Sequence, residues 1–420
     1  MVISPRLVMA LAAAVVLAAG SVPAAEIHDA ARSGDSSKVK ALVEKDPGLA
    51  SARNPNGQTP LFDAVMGRHP EIAEYLISKG ADVNAENNFH MTVLHVACRG
   101  GFPLEIIRLL VEKGADVNAA AKYMGRPLDL ANESGDTAIL QYLTSKGAQF
   151  TPLDFDTFPL ADRVHRIAYP WGMRNNLVVS AGPDGILVVD TGFNKRALDA
   201  IRKTIGGFAK GDIKYVVNTH SNWDHVAGNA LAPSEAAVIG YRSLDSGDLK
   251  DVAARTEKPL SGPSGRTLPA PYIMRFNGEE IAFIPYPGLH SQDDILIHFT
   301  TSGVVCMGDL LLSQSCPAID NVAGYMELLD KVIDVFPAAT RFVSGHGRDL
   351  TLEELKRYRD ALAEMIGMVK KNHAAGKTAD DMIRADILKA YKPDYSQLDW
   401  LGPDTWIVSV VRSLQSGSLK

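Results

Sequence analysis

His220–Ser221–Asn222–Trp223–Asp224–His225 places two imidazoles and one carboxylate within a single short stretch. That combination suits a divalent transition ion such as zinc, iron or manganese. The preceding run, Tyr215–Val216–Val217–Asn218, is rich in β-branched residues and predicts a buried strand. Thr219 to His225 then falls on the loop leaving that strand, where side chains can converge on one point. A polar loop with incidental histidines has the same local sequence, so the rest of the chain decides between the two.

Four further clusters follow the same logic. In chain order the set runs Asp190–Thr191–Gly192, the H-x-N-x-D-H stretch, Gly288–Leu289–His290, Gly308–Asp309 and Ser344–Gly345–His346. Short apolar runs separated by Gly, Pro and Asp surround them. Leu177–Ser180 and Ile186–Asp190 join through Gly182–Pro183–Asp184–Gly185, a hairpin signal. Further strands are predicted at Ala237–Tyr241, Ile281–Pro285, Ile295–Phe299 and Gly303–Met307, and helices at Lys195–Ile205, Tyr325–Val335 and Leu352–Lys371.

Five clusters in this order and spacing resemble the metallo-β-lactamase superfamily over roughly residues 155–350. The resemblance implies a four-layer αββα sandwich with its metals at one edge of two sheets. It also implies ligand roles. His220 and His290, with the position held by Asn222, make a first metal site; Asp224, His225 and His346 make a second; Asp309 bridges the two. Asp190 shapes the loop beneath the site. His298, His165 and His373 match no family ligand and are read as structural, packing or exposed residues.

Asn222 departs from the family pattern, which usually has histidine there. An amide oxygen is a poorer zinc ligand than imidazole, so one zinc ion is expected in the complete second site, with the first site weak; two ions, or iron or manganese in place of zinc, are the alternatives. A single ion still lowers the pKa of water and polarises a carbonyl. Asp224, His220 and His290 are the candidate catalytic residues, the two histidines as general bases released from coordination. A mono-zinc lactamase subclass of the superfamily also carries an asparagine in its ligand cluster, at the first histidine rather than the second.

The N-terminal part has a different grammar. Gly80–Ala81–Asp82–Val83–Asn84 recurs 34 residues on at Gly114–Ala115–Asp116–Val117–Asn118, with a degenerate copy 33 further at Gly147–Ala148. Upstream lie Thr59–Pro60–Leu61, Thr92–Val93–Leu94–His95 and Arg126–Pro127–Leu128. These resemble the ankyrin repeat. Ala64, Ala97 and Ala131 are expected where paired helices approach closely, and Leu76, Leu110 and Leu143 on the second helix's apolar face. Asp29 to Ala50 reads as a capping unit. His95 belongs to the consensus and is expected to bond within the repeat. Such arrays bind protein partners, which the consensus residues cannot name.

The chain is thus read as multidomain: an all-α solenoid over 26–150, an α/β sandwich over 151–350 and a helical extension over 351–420. Residues 1–25 read as a signal peptide, with Arg6, an apolar run Leu7–Ala19 and small residues at Val22 and Ala24 placing cleavage near Ala24 or Ala25. Periplasmic or secreted localisation follows as an expectation, with no membrane span in the mature chain. With 46% hydrophobic and 22% charged residues and a net charge of −6, the sequence has the composition of globular domains and gives no reason for a nucleic-acid partner. Cys98, Cys306 and Cys316 are odd in number; Cys98 and Cys306 are expected as buried filler. Trp400, Trp406 and Ile407–Leu414 are expected to dock the tail, while Trp223 and Trp171 are candidate walls of the site.

The leading function is a metal-dependent hydrolase acting on the carbonyl of a small-molecule lactam, lactone, ester or thioester. The alternatives are an iron-dependent oxygenase on the same fold, and a non-catalytic ankyrin binding protein with a relic sandwich.

Overall fold

The computed structural model describes residues 22–170, 174–192, 196–244, 252, 255–398 and 401–419. Residues 1–21, read above as a signal peptide, and Trp171, Lys195 and Trp400 lie outside these. The chain divides into two compact units between Pro152 and Leu153.

The first unit is built from helix pairs. Helices Pro60–Met66, Val93–Arg99 and Pro127–Ser134 are each followed by a second, Pro70–Ser78, Leu104–Glu112 and Thr137–Ser145. Ala64, Ala97 and Ala131 are fully buried, as are Leu76, Leu110 and Leu143. Small residues let the paired backbones approach, and the leucines fill the shared core. Gly80, Gly114 and Gly147 follow the second helices with φ of 93°, 93° and 80°, the left-handed conformation that ends a helix at least cost in glycine. His95 Nδ1 accepts from the Thr92 amide at 3.1 Å and Nε2 lies 3.2 Å from the Gly125 carbonyl; burial pushes its pKa down to about 4. It is a structural residue of the array. The leading unit begins earlier than Asp29, with helix Val22–Ser33 paired to Ser36–Lys45.

The second unit holds two six-stranded sheets, ordered β1-β2-β3-β4-β5-β6 and β14-β13-β12-β11-β10-β9. The first comprises β1 Asp156–Ala161, β2 Val164–Ala168, β3 Asn176–Gly182, β4 Gly185–Val189, β5 Ile213–Val217 and β6 Ala237–Ile239. A small ribbon, β7 Leu260–Ser261 and β8 Thr267–Leu268, precedes the second sheet: β9 Tyr272–Phe276, β10 Glu279–Pro285, β11 Ile295–Phe299, β12 Val304–Leu312, β13 Arg341–His346 and β14 Leu350–Thr351.

Alternation along the strands sorts the layers. Leu187, Val189 and Val217 of the first sheet share a core with Ile281, Phe283, Ile295, Ile297, Phe299, Val304 and Cys306 of the second. The intervening residues Ile284, Leu296, Val305 and Met307 face the other way, into a cluster with helices Val322–Val335, Leu352–Ala374 and Pro403–Gln415. On the outer side of the first sheet, His165 stacks on Phe208 at 4.4 Å, just beyond helix Ala197–Ile205, whose Ala197, Ile201 and Ile205 are buried. Helices therefore cover both outer faces.

The helices beyond residue 350 share the core of the second sheet rather than standing apart from it. Trp406 is fully buried and packs edge-on against Tyr325 at 6.4 Å between centroids. Trp406→Ala is expected to destabilise this unit by about 3–5 kcal/mol, the cost of a large aromatic cavity. Calorimetry of the full chain would show it as a lowered transition of the sandwich; an unmoved transition would separate the tail from the domain. Within the helical extension, a short helix Ala379–Arg384 and a 3-10 turn at Lys389–Tyr391 follow. His298 lies on the helix side of β11 against Phe336, at 4.9 Å, and is structural. Cys98, Cys306 and Cys316 are buried and unpaired. Among the described residues, no helix is long and apolar enough to cross a membrane.

Candidate metal centre

The C-terminal ends of β4, β5, β10, β12 and β13 meet at one edge of the sandwich, and each delivers part of the site. β4 ends at Asp190, β5 opens into the stretch 218–225, β10 precedes His290, β12 carries Asp309 and β13 ends in His346. Two departures from the loop expectation matter. Trp223–Val226 forms a short helix with Asn222 at its N-cap, and β12 runs through Gly308 and Asp309 instead of stopping at Met307. A register shift at Gly308 breaks the pairing with β13 and redirects the chain there. A Cβ on Gly308 would lie 2.6 Å from Thr219 Oγ1, and one on Gly345 would occupy the Asp309 carboxylate. Only glycine permits this approach.

All six predicted histidine and aspartate residues converge, in two groups that share Asp309. Asp224, His225, Asp309 and His346 form one; His220, His290 and Asp309 form the other; within each, the candidate ligand atoms lie within 4.8 Å of one another. Asp309 Oδ1 is 3.2 Å from both His225 Nε2 and His346 Nε2, and Oδ2 is 3.5 Å from His290 Nε2. His346 Nε2 stands 3.4 Å from Asp224 Oδ2. Asn222 joins through its amide, with Nδ2 at 2.9 Å from His290 Nε2.

Proton positions follow from the hydrogen bonds. Asp190 accepts from the Thr219 amide at 2.8 Å, the Thr219 hydroxyl at 2.9 Å and His225 Nδ1 at 2.8 Å. Its left-handed backbone, φ 60°, costs about 1 kcal/mol and aims the carboxylate at all three donors. The single Thr219 hydroxyl proton goes to Asp190, so Thr219 Oγ1 accepts from His220 Nδ1 at 3.0 Å. His220 and His225 therefore both direct Nε2 into the cluster. His220 Nε2 is buried and has no hydrogen-bond partner among the described residues, and Asp309 Oδ1 faces the Nε2 atoms of His225 and His346 at 3.2 Å. An orphaned acceptor beside imidazoles turned toward one carboxylate is what a cation would satisfy, so the residues fit a divalent metal.

Electrostatics divide the two groups. Burial, helped by neighbouring His225 and His290, pushes His220 well below the ordinary histidine range, so it is neutral. Burial also acts to lower His225 and His346, but Asp309 and the other carboxylates outweigh it. His225 rises well above its ordinary value and His346 to about 9. Against the same burial, His225 and His346 hold Asp224 down at about 2.

The metal-free second group thus carries protons that an ion must displace. Metal binding at pH 7 is expected to release about two protons per ion, with affinity falling as pH falls. Calorimetric titration in buffers of different ionisation enthalpy would measure this, and a buffer-independent heat would contradict it. Linkage has a definite sign in the metal-free form. The raised histidines stabilise fully below pH 6.5, and the His346 contribution is lost as pH rises through about 9. The Asp224 contribution is present above pH 3.8 and is lost as pH falls through about 2.

Sequence reasoning did not single out Asn175, Asn176 or Asp294. Asp294, 2% exposed, accepts from the amides of His290 and Ser291 and from the Ser291 hydroxyl, fixing the turn that carries His290. Gln292 and Asp293 separate it from Ser291, so only the Ser-x-x-Asp spacing hinted at its role. Trp223 is half-buried beside the ligand loop.

Comparison with known proteins agrees with both halves. Residues 169–366 match the Metallo-beta-lactamase superfamily, and 27–87 and 85–154 match ankyrin repeats. The chain carries a metallo-beta-lactamase superfamily domain behind an ankyrin repeat array. The fold implies divalent metal binding. Among curated relatives, Inversin of Gallus gallus is 36% identical over 85 residues, 20% of this chain and 8% of that protein. The human NAD-capped RNA hydrolase NUDT12 is 32% identical over 77 residues, 18% of this chain and 17% of that protein, within the repeat region. The probable E3 ubiquitin-protein ligase XBOS33 of Oryza sativa subsp. japonica is 41% identical over 73 residues, 17% of this chain and 14% of that protein. The chain spans less than a fifth of the length of each of these three.

Proposed function

We propose that the sandwich is a metal-dependent hydrolase acting on a carbonyl substrate, a lactam, lactone, ester or thioester. The observation that carries this reading is the sharing of Asp309 between two groups of inward-facing ligand atoms. Asp224, His225, Asp309 and His346 would hold one zinc ion, which when bound supplies Lewis acidity and lowers the pKa of water. His220 and His290 are left to handle protons. His290 is the more accessible of the two, its side chain 19% exposed against 1% for His220. With Asn222 Nδ2 as donor, His290 Nε2 is the acceptor, and its one lone pair must be released from that bond before it can take a proton as a general base. Burial excludes bulk water from the remaining ligands and strengthens each charge interaction within the site.

The repeat array would capture a protein partner, as ankyrin arrays do. Export to the periplasm or beyond is part of the same proposal. Cleavage after Ala24 or Ala25 would trim the helix Val22–Ser33 but leave its buried Ile27, Ala30 and Ala31 in place.

The test combines metal analysis of the purified protein with a hydrolysis screen across the four substrate classes. Asp224→Ala is expected to abolish the activity, because it removes a ligand and the acceptor shared with His346. Activity that survives Asp224→Ala, or the absence of bound metal in an active protein, would sink the proposal.

A further inference from the structure

Two adjacent asparagines at the start of β3 are placed as no ordinary strand residues would be. Successive side chains on an extended chain point to opposite sides. Asn175, 1% exposed, reaches the loop carrying Asp224 and His225; Asn176, 4% exposed, reaches the loop carrying His346. We propose that Asn175 is a positioning residue of the second metal group, its amide fixing the Asp224 carboxylate, with Asn176 fixing His346 from the other side. The inference rests on the metal-binding reading of that group.

The need for such a residue comes from the local fold. Asp224 and His225 sit in a helix of four residues, Trp223–Val226, too short to hold itself in place. The Trp223 carbonyl accepts from the Ala227 amide, and the carbonyls of Asp224 and His225 find partners outside the helix. Asn175 Nδ2 donates to the Asp224 carbonyl at 3.0 Å, and the Thr191 amide donates to the His225 carbonyl at 2.8 Å. The same Asn175 nitrogen lies 3.4 Å from Asp224 Oδ2 and 3.5 Å from His225 Nε2. The donor end of the amide, not the oxygen, thus faces the ligand atoms. That geometry suits steering of a carboxylate and does not suit coordination.

The backbone of Asn175 also bridges to His346, and its carbonyl accepts from the Tyr169 amide at 3.0 Å. Asn176 Nδ2 donates to the carbonyls of Ser344 at 2.8 Å and Gly347 at 2.6 Å, on both flanks of His346. Asn176 Oδ1 accepts from Arg166 Nη1 at 2.8 Å, and Arg166 Nε is 3.3 Å from Asp349 Oδ1. One dipeptide therefore couples the ligands that come from the first sheet to the ligand that comes from the second.

The experiment strips the full-length protein of metal and titrates it with cobalt(II). It follows the visible absorption bands and measures affinity by chelator competition. Asn175→Ala is expected to lower cobalt affinity about 10–100-fold and to change the band pattern. Asn175→Asp keeps the size but sets a second carboxylate beside Asp224 without the donor, and is expected to bind no more tightly than Asn175→Ala. Circular dichroism of both metal-free variants checks that they fold. An unchanged affinity and spectrum in a folded Asn175→Ala protein overturns the inference. Tighter binding by Asn175→Asp also overturns it, because the residue would then be a ligand. Failure of the unaltered protein to take up cobalt removes the metal reading itself and this inference with it.

Discussion

Asp309→Asn should empty the site of tightly held metal, because Asp309 is the one residue common to both ligand groups. Complete four-ligand zinc sites have apparent binding energies of about 10–16 kcal/mol, or about 2.5–4 kcal/mol for each ligand. At about 1.4 kcal/mol for each factor of ten, losing one anionic ligand lowers affinity about 10²–10³-fold. Asparagine retains the shape of the side chain but not its charge. The protein-bound protons should go too, since Asp309 is the largest influence holding His225 and His346 up against burial. The fold is expected to persist, as β12 remains paired with β11 and β13 on residues 304–306. Metal content after gel filtration, together with circular dichroism, checks this. A folded Asp309→Asn protein that keeps its full metal complement would show that the shared carboxylate is not a ligand.

How much of this was legible beforehand depended on whether the signal was local. The repeats were readable because each unit restates its neighbour, so Gly80, Gly114 and Gly147 announce the same turn in three places. The clustering of the six histidines and aspartates was readable because these residues after short apolar runs have few other reasons to recur. Strand β2 was missed: Val164–Ala168 contains His165 and Arg166, and the buried guanidinium there is explained by its partners Asp349 and Asn176 and by the Phe158 ring beneath it. β12 was predicted too short because Gly308 reads as a strand end, whereas it marks the bulge that brings Asp309 inward. The supporting residues were hidden for a different reason. Asn175 and Asn176 have no motif, and their partners lie 49 and 168 residues away. The Asn175 contact needs the first sheet complete, and the Asn176 contact needs both sheets assembled.

Asn222→His tests how many ions the unaltered site holds. In the structure Asn222 caps the short helix with extended backbone, φ −63° and ψ 141°, a conformation open to histidine. Its amide already stands 2.9 Å from His290 Nε2, so an imidazole there would join His220, His290 and Asp309 as a fourth donor. By the same ligand arithmetic, exchanging a poor amide donor for imidazole should raise affinity at this position by about 10²-fold. The expected result is a change from one tightly held zinc per chain to two. The proton economy of the site should change with it: His290 would be drawn into coordination and lose its role as a base. Hydrolysis per bound ion should then fall, because the site has lost that base. Metal analysis after dialysis against a weak chelator gives the count. Two tightly held ions in the unaltered protein would show that the amide oxygen of Asn222 is ligand enough, and the one-ion reading would fail.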